Sequence, residues 1–346
     1  MARPRRPQGP LRRTSPLRRA AGVLATLVLL AGAVAGAWLY YFTHAPVRLP
    51  ATPYDFTVHP GSSLKTVARQ LAQAGVLPEP YTFWLLGRGT GKAGLIQAGT
   101  YRLDRPLTPP ELLDKLARGD VLLVEVLFVE GTTLKQWLAQ LAADPEVKQT
   151  LAGKAEPDLR AILGLDQPVE GWLFPDTYRF TPGVADVEIL KRAHAAMKRR
   201  LADAWAARDP QLPLKTPYEA LILASIIEKE TGQAGERPLI ASVFVNRMRL
   251  GMRLQTDPTV IYGLGEHYDG RIHKRDLTTD TPWNTYTRDG LPPTPIAMPG
   301  LASLRAAVQP AQSSFLYFVG RGDGTHEFSR TLEEHNRAVA KYQLGQ

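Results

Sequence analysis

The most conspicuous pattern in the chain is residues 21–42, AGVLATLVLLAGAVAGAWLYYF, an apolar run of 22 positions without a charge. At about 1.5 Å per residue, a helix of this length spans the hydrocarbon core of a bilayer. Trp38, Tyr40 and Tyr41 close the run with the aromatics that favour a membrane–water boundary. Ala33-Val34-Ala35 has the form of a signal-peptide cleavage site, but the run is long for a leader and bulky aromatics come after it. The expectation is a retained, single-pass anchor.

After a linker at 43–52 (THAPVRLPAT), shorter periods take over. FTVHPGSSLKTVARQLAQAGVL predicts a strand, a serine cap and an amphipathic helix stopping at Gly75. AGTYRL predicts a second strand. TPPELLDKLARG predicts a helix with Thr108 as cap, prolines at its entry and Gly119 at its exit. Residues 53–120 therefore read as a small βααβ-like subdomain, which binds glycan or merely positions the next domain. In the larger remainder, 121–346, VLLVEVLFVEG (121–131) predicts a buried strand, and Thr132 or Thr133 caps a helix through Leu141. Residues 183–207 predict a long charged helix facing largely solvent. The fold class is α+β.

One helix start is especially well marked. Thr216 is the expected cap, Pro217 the first helical residue, and Glu219 the partner in a capping box. Gly232 is the expected stop, giving a helix over 217–231 that ends in ASIIEKETG. Residues advance about 100° around a helix, so Glu228 and Glu230 point in nearly opposite directions. Glu230 shares its side with Leu223, Ile226 and Ile227, whereas Glu228 sits with Leu221, Ala224 and Ser225. A carboxyl above the oilier side is partly desolvated, which raises its pKa toward the range a general acid needs near neutral pH. The competing reading is that both acids fray into water. Acids at a helix C-terminus oppose the helix dipole, a small cost that favours a purpose.

Charge narrows the partners. The formal net charge is +9, but residues 1–20 hold seven arginines and no acid, leaving only +2 for the rest. No basic stripe interleaved with aromatics remains, so nucleic acid is excluded as a partner. The arginine tail instead places the N-terminus on the cytoplasmic side by the positive-inside rule, with everything after residue 43 outside. There is no cysteine, which removes disulfides, thiol catalysis and cysteine metal sites. The seven histidines fit no metal spacing, and His326 and His335 read as structural. No phosphate-binding or dinucleotide fingerprint is present, so neither metal nor cofactor is expected.

Three further stretches carry polar groups in turn-rich settings. In GMRLQTDPTVIYG (251–263), Gln255 and Thr256 stand at the mouth of a short helix, and Asp257 before Pro258 reads as its cap. EGWLFPDTYRF (170–180) mixes Glu170 and Asp176 with aromatics whose faces suit sugar rings, although such aromatics are more often core. TPWNTYTRDGLPPTPIAMPG (281–300) is a proline-stiffened loop in which Asn284, Thr285 and Tyr286 are placed to line a groove.

EGWLFPDTY, ASIIEKET, VFVNRMRLGMRLQTDPTVIYG, NTY, GLPPTPIAMPG and HEFSRTLEEHN occur in this order. Together they resemble the endolytic murein transglycosylases of bacteria, the MltG or YceG-like family, from about residue 53 to the C-terminus. The resemblance implies a single-pass inner-membrane protein facing the cell wall, with a LysM-like subdomain before the catalytic domain. It implies cleavage of the β-1,4 bond between N-acetylmuramic acid and N-acetylglucosamine in peptidoglycan strands, without water, leaving a 1,6-anhydro end. The family's catalytic glutamate falls on Glu230. Glu170, Asp176, Gln255, Thr256, Asn284 and Tyr286 match family motifs as substrate-groove residues. Glu228 would either tune Glu230 or simply be solvated. Partnership with peptidoglycan polymerases is implied by the resemblance alone. Two rivals are a hydrolytic muramidase, with Glu170 or Asp176 as its second carboxylate, and a non-catalytic glycan-binding scaffold.

Overall fold

The computed structural model describes residues 16–344, so most of the arginine-rich tail lies outside the described residues. Packing divides the chain between Leu122 and Leu123. The first unit contains α1 (Pro16–His44), β1 (Tyr54–Val58), α2 (Leu64–Gln73), α3 (Pro80–Gly89), β2 (Gly99–Leu103) and α4 (Pro109–Arg118). β1 and β2 pair antiparallel, with Tyr54 opposite Leu103 and Val58 opposite Gly99. Local chemistry sets the ends of the helices. Ser63 caps α2, Glu79 caps α3, and Thr108 with Glu111 forms a capping box on α4. Gly119 ends α4 with φ of +67°, a left-handed conformation that a residue without Cβ adopts freely.

The two strands and three shorter helices close over one core that includes Phe56, Val67, Leu71, Phe83, Tyr101 and Leu112. Phe42 from the end of α1 and Val47 from the expected linker are also part of it. The linker is therefore docked rather than free: Val47 N donates to Leu107 O at 2.7 Å. Hydrophobic side chains at 42 and 47 explain this, since leaving either in water forfeits about 1.5–3 kcal/mol of burial.

The second unit runs through β3 (Val124–Leu127), α5 (Leu134–Ala143), β4 (Val147–Lys148), α6 (Glu156–Leu163), β5 (Thr177–Phe180), β6 (Val184–Ala185) and α7 (Asp186–Ala206). It continues with α8 (Pro217–Glu230), α9 (Arg237–Arg249), α10 (Asp257–Leu264), a 3-10 turn, α11 (Lys274–Thr278), α12 (Leu301–Val308), β7 (Tyr317–Gly320), β8 (His326–Ser329) and α13 (Leu332–Gln343). Strands pair only two by two among the described residues: β3 with β5 and β7 with β8 antiparallel, β4 with β6 parallel.

The expectations for β3 and α7 change. The buried strand at 121–131 shortens to β3, and Leu123, Leu127 and Val129 are exposed. A two-stranded ribbon has one face on the core, so the alternate side chains Val124, Val126 and Phe128 go inward, Val124 only partly. Nor does α7 face mainly solvent. Ile189, Ala193, Met197, Leu201 and Ala204 form a buried stripe between its charged residues.

α8 lies at the centre, packed by α7, α9, α10 and α12, and every residue from Ala220 to Ile227 is buried. Thr216 caps it through Glu219 N at 3.2 Å. The Glu219 carboxylate reaches past the cap to Lys215 N instead of closing the box. The helix stops at Glu230 because Thr231 turns extended (φ −145°, ψ 136°), one residue before the glycine expected to end it.

Candidate active site

Because α8 is buried all round, its oilier and less oily sides differ little, and both glutamates at its end leave bulk water. They then meet different surroundings. The Glu228 side chain is 5% exposed and pairs with Arg237 at 3.1 Å. Its second oxygen accepts from Gly300 N at 2.9 Å. Glu228 is thus not solvated, which overturns one of the two expectations for it. A buried carboxylate needs a countercharge and donors, and α9 and the entry to α12 supply them. Lys229 points outward and donates to Gly131 O at 3.2 Å.

Glu230 instead enters the wall of a cavity of about 450 Å³, a size suited to a small ligand. Burial, together with the nearby Asp257 charge, raises its pKa to about 7, against the lowering effects of a Thr256 hydrogen bond and the Arg247 charge. Near neutral pH the carboxyl is therefore present in both protonated and ionised forms.

The loop between α9 and α10 holds the partner groups. Thr256 is buried, and its hydroxyl donates to Glu230 Oε1. Thr256 N in turn donates to Thr285 Oγ1 at 3.0 Å, and Thr259 and Thr285 hydroxyls lie 2.9 Å apart. This buried threonine network ties the loop before α10 to the 281–300 loop. Gln255 lines the cavity with φ of +48°, the one non-glycine residue with positive φ among those described. Such a conformation is strained for a side-chain-bearing residue and persists only where neighbours enforce it. Here Gln255 N is held by Thr285 O at 3.2 Å.

Asp257 is not the cap expected from its place before proline. It is the first residue of α10, and its Oδ1 accepts from the Tyr286 hydroxyl at 2.6 Å. Both residues line the cavity with Glu230. Burial and the Asp257 carboxylate push the Tyr286 phenol above its ordinary pKa, so it remains a donor.

The other candidates fall elsewhere. Asn284 is fully buried. Its Nδ2 donates to Thr279 O at 2.7 Å and Asp276 O at 3.1 Å, and its Oδ1 accepts from Tyr286 N at 2.8 Å. It shapes the loop that carries Tyr286 instead of lining the cavity. Glu170 is buried, accepts from Leu134 N at 3.0 Å and Tyr262 Oη at 3.2 Å, and burial raises its pKa to about 7. The adjoining Gly171 packs against Leu221, nine residues before Glu230 on α8, or about 13 Å along the helix. Asp176 is exposed beside β5, with Oδ1 on Thr177 N. Neither acid lines the Glu230 cavity.

Three residues that the sequence did not mark for this site stand in it. Arg247 is buried, donates to Leu316 O at 2.6 Å and Leu254 O at 2.8 Å, and lies over the Tyr317 ring. His326 meets Glu236 Oε2 at 2.7 Å. His335 stacks on Tyr317 with ring centroids 5.2 Å apart, and its Nδ1 is buried without a hydrogen-bond partner. Burial and the Arg247 charge keep His335 below its usual pKa. The only local signal was that His335 falls one turn into a capped helix, which a core histidine shares. Among the described residues no three His, Asp or Glu side chains converge on a metal position.

Comparison with known proteins agrees with these motifs. The YceG-like family model matches residues 56–341. An endolytic murein transglycosylase of Bacillus subtilis is 32% identical over 309 residues, covering 84% of this chain and 85% of the relative. One from Streptococcus pneumoniae D39 is 27% identical, covering 92% of this chain and 65% of the relative. The crystal structure of a YceG-like protein from Listeria monocytogenes superimposes with a TM-score of 0.54 at 31% identity, over 83% of this chain and 99% of that one. The chain is a member of the YceG-like family.

Proposed function

We propose that the protein is a lytic transglycosylase of peptidoglycan, with Glu230 as its catalytic residue. The observation that carries this reading is a carboxyl with a pKa of about 7 in a ligand-sized cavity, beside Thr256, Asp257 and Tyr286. The relatives named endolytic murein transglycosylase supply the substrate class. In the mechanism, protonated Glu230 donates to the oxygen of the β-1,4 bond between N-acetylmuramic acid and N-acetylglucosamine as the C1–O bond breaks. The resulting carboxylate then accepts the proton of the muramoyl C6 hydroxyl while that oxygen bonds to C1. Glu230 ends protonated, no water is consumed, and the product carries a 1,6-anhydro ring. One carboxyl serves as acid and then base, so its pKa must lie near working pH.

A hydrolytic reading needs a second carboxylate. Glu170 and Asp176, the acids that sequence alone offers for it, are outside the cavity, but Asp257 is inside. Mass spectrometry of products from purified glycan strands separates the readings. Anhydro ends support transglycosylation; reducing ends, heavier by one water, sink it. A scaffold without activity would give neither product.

The apolar helix α1 serves as the membrane anchor in this proposal, with the N-terminus cytoplasmic and both folded units on the wall side. Its apolar span, Ala20–His44, has a mean hydropathy of 2.1 in its most apolar stretch, which no other part of the protein covers; only Phe42, near its end, is buried in the folded unit. The β1–α2–α3–β2 unit is the LysM-like subdomain, and a peptidoglycan polymerase is the natural neighbour at the same membrane face.

A further inference from the structure

We propose that the first folded unit rests on the outer face of the bilayer, with helix α3 lying in the lipid interface. This rests on reading α1 as the anchor. The height of the bilayer relative to this unit is then set by α1 itself. Counted from Ala20, Trp38 lies about 27 Å along the helix, near the far edge of a hydrocarbon core about 30 Å thick. Trp38 Nε1 donates to Thr82 Oγ1 at 3.2 Å. Thr82 is in the first turn of α3, so α3 starts at the level where hydrocarbon gives way to headgroups. Phe42 and Val47 fix the same arrangement from above, because both are buried in the core of this unit.

The outward side of α3 has the composition that this position demands. Phe83 and Gly87 face the core, and Gly87 packs against Leu64. Tyr81, Leu85 and Arg88 are exposed on the outward side at helical spacing, and the half-buried Trp84 borders it. Tyr81 is 65% exposed and Leu85 57% exposed. For a surface bathed only in water, an aromatic and a leucine side by side are an unexplained apolar patch. Against a bilayer they are the apolar half of an interfacial helix. The cations complete it. Arg88 lies 5.2 Å and Lys65 5.9 Å from the Trp84 ring centre, where their heads meet lipid phosphates while Trp84 sits at the headgroup level.

A second feature at this height fits the same occupant. A cavity of about 510 Å³ opens between the end of α1 and the folded unit, walled by Trp38, Tyr41, Phe42, Val76, Leu77 and Pro109. Its wall beside the anchor mixes these apolar groups with Arg48, as an amphipathic lipid with an apolar chain and an anionic headgroup requires.

The absence of cysteine makes the test direct, since each single-cysteine variant takes one nitroxide label. The full chain would be reconstituted in phospholipid vesicles as Val28→Cys, Leu85→Cys and Lys154→Cys. Collision with oxygen and with a water-soluble nickel chelate then reports depth by electron paramagnetic resonance. Leu85 is exposed, so its replacement leaves the core intact. We expect labels at 28 and 85 to favour oxygen, and the label at 154 to favour nickel. A label at 85 that matches 154 while 28 remains in lipid overturns the seated helix and leaves the anchor standing. A label at 28 that is itself in water removes the anchor, and this inference with it.

Discussion

The Tyr286 hydroxyl donates to Asp257 Oδ1 at 2.6 Å, across the cavity into which Glu230 projects. The pair places a negative charge near Glu230, and that charge raises the Glu230 pKa. Asp257→Asn keeps an acceptor for Tyr286 but removes the charge. The Glu230 pKa should then fall, leaving less of the protonated acid at neutral pH. The alkaline limb of the activity profile should move to lower pH. Tyr286→Phe retains the charge and should lower turnover without moving the limb in that direction. A pH–rate profile of both variants on glycan strands checks this; an unmoved limb in Asp257→Asn would remove Asp257 from the electrostatics of Glu230.

Glu228 and Arg237 form a pair with side chains 5% and 10% exposed. Removing one partner of such a pair leaves an unbalanced buried charge, which typically costs about 3–5 kcal/mol. Glu130, 3.9 Å from Arg237, softens the loss here. We expect Glu228→Ala to lower unfolding free energy by about 2–4 kcal/mol in denaturant titration. Gly300 N also loses its acceptor in that variant. Glu228→Gln should retain that acceptor and leave the alkaline activity limb in place. A limb displaced as far as in Asp257→Asn would make Glu228 a tuning group after all.

The Asn284 side chain joins the backbone at Asp276 and Thr279 to the backbone N–H of Tyr286. Asn284→Ala strands buried carbonyl groups, with an expected cost of about 1–3 kcal/mol in thermal unfolding. Asn284→Asp should cost more, because a carboxylate oxygen would replace the donor facing Thr279 O and Asp276 O. If Asn284→Ala leaves stability unchanged and raises only KM, the side chain contacts substrate and its assignment to the loop is wrong.

What could be read from the sequence was whatever short-range chemistry decides. The Thr216-Pro217 start, the Thr108 cap and the Gly119 exit are each settled within one turn, whereas the choice between Thr132 and Thr133 as a cap, which falls on Thr133, was open in the sequence. The apolar segment of α1 needed only length and absence of charge. Glu230 was singled out because carboxylate plus oily neighbours is a local pattern, although the neighbours proved oily on every side. What stayed hidden depends on distant residues. Arg237 reaches Glu228 from α9, Tyr286 reaches Asp257 from another loop, and Glu170 turns to the start of α5 instead of the cavity. Polar side chains of the same type go to substrate, to a cap or to a buried partner, and only tertiary packing separates these outcomes.

Glu230 itself should trade stability for activity. Its folded pKa of about 7 exceeds the ordinary 4.5, so the folded state holds a proton that the unfolded chain has released. Stability therefore falls as pH rises from about 4.5 to about 7, and the loss is complete above that window. Glu230→Gln removes the titrating proton and retains an acceptor for Thr256. The variant should match the parent near pH 4 and exceed it by about 1–3 kcal/mol at pH 8, from a shift worth about 1.4 kcal/mol per unit. Activity should fall by about 10³-fold or more, since the acid and base steps both disappear. Paired urea titrations at pH 4 and pH 8, with product assays on the same samples, read both effects. A Glu230→Gln variant that still releases product at the parent rate would overturn its catalytic role. One that is no more stable at pH 8 would show that the carboxyl is not held in its neutral form by the fold.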